Sequence, residues 1–261
     1  MTGLDQIRVG QGAGVLRGYE EDGFALVPGL FDRDEMAAVA GVIDGLFDDY
    51  ARLPAGHTYD LDRRPADQSV GKIPAIRNIL VLRPELRQTR GLARAMTLAE
   101  RLLGRGVEVL WDSAIYKPAG SSSPTPMHQD EAVYALAKIR KPRSMVYFWV
   151  ALDDVGEASG CMQFIPGSHR GPILPHAWRN GDSKSSLELS IPHDESAVVS
   201  LPLGAGDATL HHHRTLHGSG PNTSDSCRKG WVLGIGQPAS PRWLRRLKRA
   251  VLSLRGRPRG A

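Results

Sequence analysis

Two stretches of this sequence carry residues that could bind a metal ion. In the first, TPMHQD (125–130), His128 and Asp130 stand two positions apart. Alternate side chains of a β-strand point to the same face, so the imidazole and the carboxylate would lie side by side. Two histidines and one carboxylate make the facial triad that binds Fe(II) and leaves coordination positions open. A His-x-Asp pair is common by chance, so it becomes informative only with a third ligand.

The second stretch, HHHRTLHGSGPN (211–222), holds four of the nine histidines. His211, His213 and His217 share one parity, so spacing alone leaves the choice of the distal ligand open. If the turn that follows joined two paired strands, residue 217 would face Arg228. A fixed guanidinium beside the metal would suit the far carboxylate of a dicarboxylic cosubstrate. This register favours His217 as the third ligand and Arg228 as the carboxylate anchor, with His213 as the alternative ligand.

The composition is that of a globular protein with many turns. The 261 residues are 41% hydrophobic and include 29 Gly and 18 Pro, which argues against a helical bundle or a disordered chain. No apolar run is long enough to span a bilayer, and neither a secretory signal nor a peroxisomal address is evident. We therefore expect a cytoplasmic protein in which Cys161 and Cys227 are reduced.

Positive charge is concentrated at the C-terminal end. Residues 242–261 carry seven Arg, one Lys and no acid, while the whole chain has a net charge of +5. Without those eight charges the remainder carries a net charge of −3, so we expect no nucleic-acid partner. The segment 241–261 has the pattern of a basic amphipathic helix. Docking on the body is the favoured interpretation of this tail, and contact with an anionic membrane surface is the alternative.

The N-terminal part of the chain predicts a strand and a helix. A strand is predicted within 22–31, followed by a helix with a capping box at Asp32 and Glu35 and a staple between Phe31 and Met36. Further apolar positions recur at helical spacing, at Val39, Ile43, Leu46, Phe47 and Tyr50.

The rest of the chain predicts a loop, one more helix and then a β-core. Residues 53–82 have few periodic apolar positions and predict a long loop over a site. Residues 85–104 predict the second helix, which ends at Gly104. Short β-type runs between Gly, Pro, Asp and Asn fill about 106–237 and indicate an all-β sandwich or barrel. We expect a single domain over 1–240.

Together these motifs resemble the phytanoyl-CoA dioxygenase (PhyH-like) family of Fe(II)/2-oxoglutarate oxygenases. The resemblance rests on MHQD (127–130), SGCMQFIPGSHR (159–170) and HGSGPNTSDSCR (217–228), in this order. The opening DGFALVPGLFDRDEM (22–36) is also similar to the start of that family, and the likeness covers about residues 18–237. It implies a mainly β fold, a double-stranded β-helix (jelly roll, cupin-like) core with flanking N-terminal α-helices.

The resemblance also implies roles for individual residues. By motif position, the metal ligands are His128, Asp130 and His217. Residues that correspond to the 2-oxoglutarate site are Arg228 and Ser219, which bind its C5 carboxylate, with Gln129 and Trp149 near the cosubstrate. Asn222 and His169 are also family features, Asn222 with a structural role and His169 either as a turn residue or as a substrate contact. The tail after about residue 240 is not explained by the resemblance.

The implied activity is a non-haem dioxygenase reaction. Fe(II), 2-oxoglutarate and O2 are the expected cofactors, with ascorbate as a stimulant, and the products include succinate and CO2. Because Asp130 is present, where related halogenases have a small residue, the resemblance predicts hydroxylation or another oxidation of a C–H bond. The expected substrate is a small molecule, such as a natural-product or acyl intermediate. The alternatives are an inactive jelly-roll binding or sensor module, and an oxygenase tethered to an anionic surface by its tail.

Three segments are the expected sources of substrate contacts. They are residues 53–82, 131–143 and 175–189, which have the composition of loops that could cover a site. Individual candidates for ligand contact within or near them are Lys72, Arg77, Tyr116, Lys117, Tyr134 and Trp178.

Overall fold

The computed structural model of this chain describes residues 13–63, 73–183 and 185–240. Its helices are α1 (Ala13–Asp22), α2 (Arg33–Asp48), α3 (Ile79–Leu82), α4 (Arg90–Leu103) and α5 (Ala132–Leu136). Its strands are β1 (Phe24–Val27), β2 (Thr58–Asp60), β3 (Pro74–Arg77), β4 (Glu108–Lys117), β5 (Thr125–His128), β6 (Ser144–Ala151), β7 (Met162–Phe164), β8 (His176–Trp178), β9 (Leu187–Leu189), β10 (Val199–Leu201), β11 (Ala208–His212), β12 (His217–Ser219) and β13 (Arg228–Gln237). The proposed basic tail and Lys72 lie outside the described residues.

Two antiparallel sheets form the body of the fold. The larger has the order β1-β11-β6-β13-β4-β3-β2, and the smaller has the order β10-β7-β12-β5. Phe24 of the large sheet stacks on Phe164 of the small sheet with ring centroids 4.5 Å apart. A further pair of strands, β8 and β9, forms a separate hairpin-like sheet. This face-to-face packing of two antiparallel sheets confirms the predicted mainly β jelly roll.

Helices α1 to α4 cover the outer face of the large sheet. Alternate residues of β6, such as Phe148, point outward into a core that includes Met36 and Ile43 of α2 and Ala95 of α4. The residues between them, such as Trp149, point inward toward the small sheet. This alternation follows from the two-residue period of a strand, and it gives each central strand one helix-covered side and one side that faces the interior between the sheets.

The helix predicted after residue 31 is present, but its capping box is not. Asp32 precedes α2 without a side-chain capping hydrogen bond and instead forms an ion pair with Arg94, at 3.1 Å. Glu35 accepts hydrogen bonds from the backbone N–H groups of Arg90 and Gly91, at 2.6 and 3.0 Å. The two carboxylates therefore stabilise the N-terminal end of α4, where the free N–H groups favour negative charge.

The second predicted helix is shorter than expected. A 3-10 segment covers Pro84–Gln88, and the α-helix itself begins at Arg90. It ends before Gly104, whose φ of +82° makes it the expected stop. The sequence therefore located the end of this helix more accurately than its beginning.

The prediction of a long loop over residues 53–82 is wrong in part. Thr58–Asp60 and Pro74–Arg77 form β2 and β3, which extend the large sheet beyond β4. The first strand, β1, also joins this sheet by pairing with β11. The sheet therefore begins well before the predicted boundary at 106. The strand predicted within 22–31 is present as β1, whereas β2 and β3, of three and four residues, carry too short a pattern to be recognised.

A helix that could cross a membrane was sought in the described part of the chain. None there is both long enough and apolar enough to do so.

Candidate metal and carboxylate site

The structure brings together the three predicted metal ligands. His128 ends β5, Asp130 lies in the turn that follows, and His217 begins β12. His217 pairs directly with His128 across the small sheet, and their ring centroids are 4.3 Å apart. One ligand atom from each of the three residues lies within 4.8 Å of the others. The strand pairing therefore assembles two histidines and a carboxylate at one point, as a facial triad requires.

The predicted register between His217 and Arg228 is wrong. Arg228 pairs with Lys117 of β4 in the large sheet, whereas His217 lies in the small sheet. The chain crosses from one sheet to the other between β12 and β13 instead of turning back on itself. Arg228 nevertheless reaches the strand of His217, because its Nη2 donates a hydrogen bond to the Oγ of Ser219 at 3.1 Å.

Backbone carbonyl groups fix the orientation of both ligand histidines. The Nδ1 of His128 lies 2.8 Å from the carbonyl oxygen of Pro126, and that of His217 lies 2.9 Å from the carbonyl oxygen of Thr215. A carbonyl can only accept, so Nδ1 carries the proton in each ring and Nε2 keeps a free lone pair. Both rings are therefore set to bind a cation through Nε2.

The charge states of these groups also suit a cation. Burial, together with the neighbouring His217, lowers the pKa of His128 to about 4, and burial lowers that of His217 to about 4. Burial opposes ionisation of Asp130, yet the neighbouring imidazoles hold the pKa of this carboxyl well below its usual range. Neutral imidazoles beside a carboxylate form the ligand set of a divalent transition metal.

One carboxylate oxygen of Asp130 has no hydrogen-bond partner among the described residues. Its Oδ2 atom is buried and accepts no hydrogen bond, and it lies 3.6 Å from the Nε2 of His217. The other carboxylate oxygen lies 3.7 Å from the Nε2 of His128. A buried carboxylate without a partner is costly, and a cation between these atoms would satisfy it. The residues therefore fit a bound Fe(II).

The other histidines of the second stretch have different surroundings. His213, the alternative ligand, has its Nε2 only 2.8 Å from the carboxylate of Glu131, so it is paired away from the triad. His211 is 2% exposed, and its Nε2 lies 3.5 Å from the Oδ2 of Asp130. Sequence spacing could not separate these residues, because only the strand pairing shows which of them meets His128.

Arg228 and Ser219 form a buried candidate anion site beside the triad. Arg228 is 3% exposed, its Nε has no hydrogen-bond partner, and its guanidinium carbon lies 5.0 Å from the ring centre of Trp149. Lys117 lies opposite Arg228 and donates to the Oγ of Ser219 at 2.9 Å. No carboxylate of the described chain lies within ion-pairing distance of either side chain. A buried guanidinium beside a buried amine, with no carboxylate to pair with, predicts that an anion binds there.

Sequence reasoning missed the place of Lys117 in the fold. Lys117 was one of several candidates for substrate contact, whereas in the structure its amine lies against the hydroxyl of Ser219. Neighbouring residues of a strand point to opposite faces, and Tyr116 packs outward against Phe47 with ring centroids 3.5 Å apart. This alternation could have indicated that Lys117 points inward.

Three residues from the motifs lie away from the open site. The side chain of Gln129 faces the opposite side from its neighbours and bonds to the backbone of Pro172, Leu174 and Arg214. It therefore does not line the cavity, in contrast to what the resemblance implied. Asn222 donates to the carbonyl oxygens of Lys117, Pro118 and Ser226 and holds the turn before β13. His169 packs on the backbone of the N-terminal segment, with Nε2 3.3 Å from the carbonyl oxygen of Glu20.

A cavity of about 690 Å³ connects the triad and the anion site. All three predicted substrate segments contribute to its wall, which includes Tyr59, Arg77, Tyr134, Arg140, Trp178 and Leu187. Strands of the large sheet add Trp111, Tyr147 and Trp149. Among the described lining residues, Asp130 is the one acid, so the cavity is mostly aromatic and apolar with positive groups near its edge.

Comparison with known proteins places this chain in a family. The family model for phytanoyl-CoA dioxygenase (PhyH) matches residues 19–230, which include both histidine stretches, and the chain belongs to this family. The peroxisomal phytanoyl-CoA dioxygenase of Rattus norvegicus is 27% identical over 222 residues, which cover 81% of this chain and 64% of the rat protein. This chain thus spans less than two thirds of the length of that relative.

Two further relatives are bacterial. A probable alpha-ketoglutarate-dependent hypophosphite dioxygenase of Stutzerimonas stutzeri is 32% identical over 158 residues, which cover 58% of this chain and 51% of that protein. The crystal structure of EvdO2 from Micromonospora carbonacea var. aurantiaca superposes with a TM-score of 0.72 and 28% identity, covering 90% of this chain and 94% of EvdO2. EvdO2 has also been solved in complex with 2-oxoglutarate.

Proposed function

We propose that this chain is a non-haem Fe(II)/2-oxoglutarate-dependent dioxygenase that oxidises a C–H bond of a small molecule. The proposal depends on one observation. A single cavity is lined by a cluster of two histidines and a carboxylate, and also by a buried anion site in which the positive charge of Arg228 has no carboxylate partner. The first suits Fe(II) and the second suits the far carboxylate of 2-oxoglutarate. The complex of the related EvdO2 with 2-oxoglutarate supports this assignment.

In this proposal His128, Asp130 and His217 hold the iron. When bound, Fe(II) supplies the activation of O2 that is coupled to conversion of 2-oxoglutarate into succinate and CO2. Arg228 and Ser219 bind the far carboxylate and fix the direction in which the cosubstrate points. Trp149 lies against the guanidinium and shields this site from water, which strengthens the ion pair that the carboxylate forms.

The wall of the cavity favours a substrate with a large apolar or aromatic body. Side chains such as Trp111 and Tyr147 offer flat surfaces for packing, and the positive groups disfavour a cationic substrate. A natural-product intermediate fits this description, and EvdO2 is a relative of comparable length. With a carboxylate at position 130 we propose hydroxylation as the outcome. Stimulation by ascorbate would be tested alongside it.

Absorption spectroscopy tests the proposal directly. Anaerobic addition of Fe(II) and 2-oxoglutarate to the wild-type protein should produce a visible charge-transfer band, and His217→Ala should abolish it. His213→Ala is the matched control, because His213 is paired with Glu131 outside the triad and should leave the band intact. A metal-loaded wild-type protein without the band would reject the assignment. Release of succinate in air would then separate an active enzyme from an inactive binding module.

The remaining expectations from the sequence are proposals of the same kind. We propose one catalytic domain over residues 1–240, a cytoplasmic location and no nucleic-acid partner. The segment 241–261 is proposed to dock on the body through its apolar positions. If it instead binds anionic membranes, binding to vesicles that contain anionic lipid should weaken steeply with salt and disappear when 241–261 is deleted.

A further inference from the structure

A second basic side chain in the anion site, that of Lys117, has no assigned role. Lys117 is fully buried, at 0% exposure, and lies directly opposite Arg228 in the pairing of β4 with β13. Its Nζ lies 2.9 Å from the Oγ of Ser219 and 2.6 Å from the carbonyl oxygen of Gly220. Lysine is rarely buried without a charge partner, so this position needs a physical explanation.

The surroundings of Lys117 disfavour its charged form. Arg228 on β13 and Arg179 after β8 are the charged groups that face it, and both are cations. Asp62, after β2, is already paired with Arg179 at 3.2 Å. Burial above all, with the charges of Arg228 and Arg179, lowers the pKa of Lys117 to about 6. Near pH 7.5 and before an anion binds, the site therefore holds one permanent cation, Arg228, and a mostly neutral amine.

The bonds of Ser219 connect Lys117 to a bound anion. The hydroxyl oxygen of Ser219 already accepts a hydrogen bond from Arg228. A neutral amine at Lys117 has a free lone pair and can accept a hydrogen bond from the Ser219 hydroxyl. A protonated Lys117 has no free lone pair, so it must donate to Ser219. The hydroxyl proton of Ser219 is then released to point at another acceptor. An anionic carboxylate in the site is that acceptor, and its charge also favours the ammonium form.

We propose that Lys117 is a positioning residue that takes up one proton from solvent when the far carboxylate of 2-oxoglutarate binds, and thereby turns the Ser219 hydroxyl toward that carboxylate. This inference rests on the proposed function, since it presupposes 2-oxoglutarate as the ligand. It makes cosubstrate binding depend on pH through a group that is neither a metal ligand nor in contact with one. The charge balance is simple, because one proton accompanies the incoming carboxylate.

Calorimetry measures the proton directly. 2-Oxoglutarate is titrated into the anaerobic Fe(II)-loaded protein at pH 7.5 in buffers with different ionisation enthalpies. The binding enthalpy of the wild type should depend on the buffer with a slope close to one proton per ligand. The Kd should rise by up to about tenfold per pH unit above the pKa of the free site. Wild-type binding without proton uptake would overturn the inference.

Substitutions locate the proton. Lys117→Met should remove the uptake and weaken 2-oxoglutarate binding by about tenfold to a hundredfold, because a charged hydrogen bond to Ser219 is lost. Lys117→Arg keeps a permanent cation, so it should restore affinity without restoring uptake. Lys229→Met is the control, since Lys229 lies one residue from Arg228 on the outer face and pairs with Asp44 at 2.9 Å. It should keep the full uptake.

The outcomes separate this inference from the proposed function. No heat of binding by the wild type at any pH would reject 2-oxoglutarate as the ligand and, with it, both proposals. Binding with uptake that persists in Lys117→Met would reject Lys117 alone. Should Lys117→Met fail to fold, the wild-type measurement and Lys117→Arg still decide the question. Uptake in the wild type that is lost in Lys117→Arg would support the inference.

Discussion

The two faces of the large sheet have the same strands but opposite chemistry. On β6, Phe148 is fully buried among helix residues, whereas the next residue, Trp149, lines the cavity. On β13, Lys229 points outward to Asp44 and the preceding Arg228 points to the anion site. The comparison shows that one backbone supports both functions, because alternate residues of a strand serve opposite faces. Stability and binding should therefore be separable by mutations at neighbouring positions.

The largest effect is expected from the outer face. Phe148→Ala removes a fully buried ring from the core beneath the helices and should lower the free energy of unfolding by about 3–5 kcal/mol. The Kd for 2-oxoglutarate of the folded fraction should not change. Urea unfolding and calorimetry measure the two quantities. Trp149→Ala, one residue along, should lower stability as well, because this ring is also buried, but it alone should weaken 2-oxoglutarate binding. Similar losses of affinity in both variants would contradict the separation of the faces.

Arg228 should provide the next largest effect, this time on binding. Arg228→Met leaves the bound carboxylate without its main cation and should cost about 2–5 kcal/mol of 2-oxoglutarate affinity, measured by calorimetry. Lys229→Met removes only a partly exposed ion pair and should cost at most about 1 kcal/mol of stability. If the two substitutions weakened 2-oxoglutarate binding equally, the anion site would not be on the inner face.

Gly230 tests how closely the inner face is packed. A Cβ atom at this position would lie 2.1 Å from an atom of the Trp149 ring, so Gly230→Ala must displace the indole from beside Arg228. We expect a loss of about 1–3 kcal/mol in stability, as for an overpacked core. Affinity for 2-oxoglutarate should fall together with stability. Unchanged affinity together with a changed tryptophan fluorescence would show that the ring can move without loss of binding, and would contradict this role of Trp149.

The smallest effect is expected at His211. Its imidazole stands next to the Oδ2 of Asp130, so His211→Phe should weaken Fe(II) binding by about tenfold to a hundredfold, as for other groups that support a metal ligand. Competition with a chromophoric chelator measures the affinity. His212→Phe is the matched control on the opposite face, where the ring of His212 packs near Tyr19. Equal losses in both variants would rule out a specific role for His211.

Local sequence pattern predicted much of the fold and part of the site. The apolar positions Met36, Val39, Ile43 and Leu46 indicated the buried face of α2, and Gly104 indicated the end of α4. The two-residue spacing of His128 and Asp130 anticipated that both side chains face one cavity, although Asp130 lies in the turn after β5 and not on the strand. The helix predictions succeed because they depend on residues a few positions apart, where helix periodicity acts directly.

Predictions that required knowledge of distant neighbours were less successful. The capping box at Asp32 and Glu35 has the right residues, yet both carboxylates serve another helix. The assumed turn paired His217 with Arg228, whereas their strands belong to different sheets. The family motif predicted that Gln129 lies near the cosubstrate, but its side chain forms a hydrogen bond with the backbone of a neighbouring loop. In each case a long-range contact decided what the side chain does.

The sequence by itself determined which groups are available: two histidine stretches, one carboxylate two residues from a histidine, and an arginine after the second stretch. It also determined the family, because the family model matches the sequence over residues 19–230. Only the tertiary structure decided that His217 rather than His213 meets His128, and that Lys117 joins Arg228 in a buried site. Strand pairing and burial set these choices, since they bring together residues far apart in the chain and remove the water that would otherwise screen their charges.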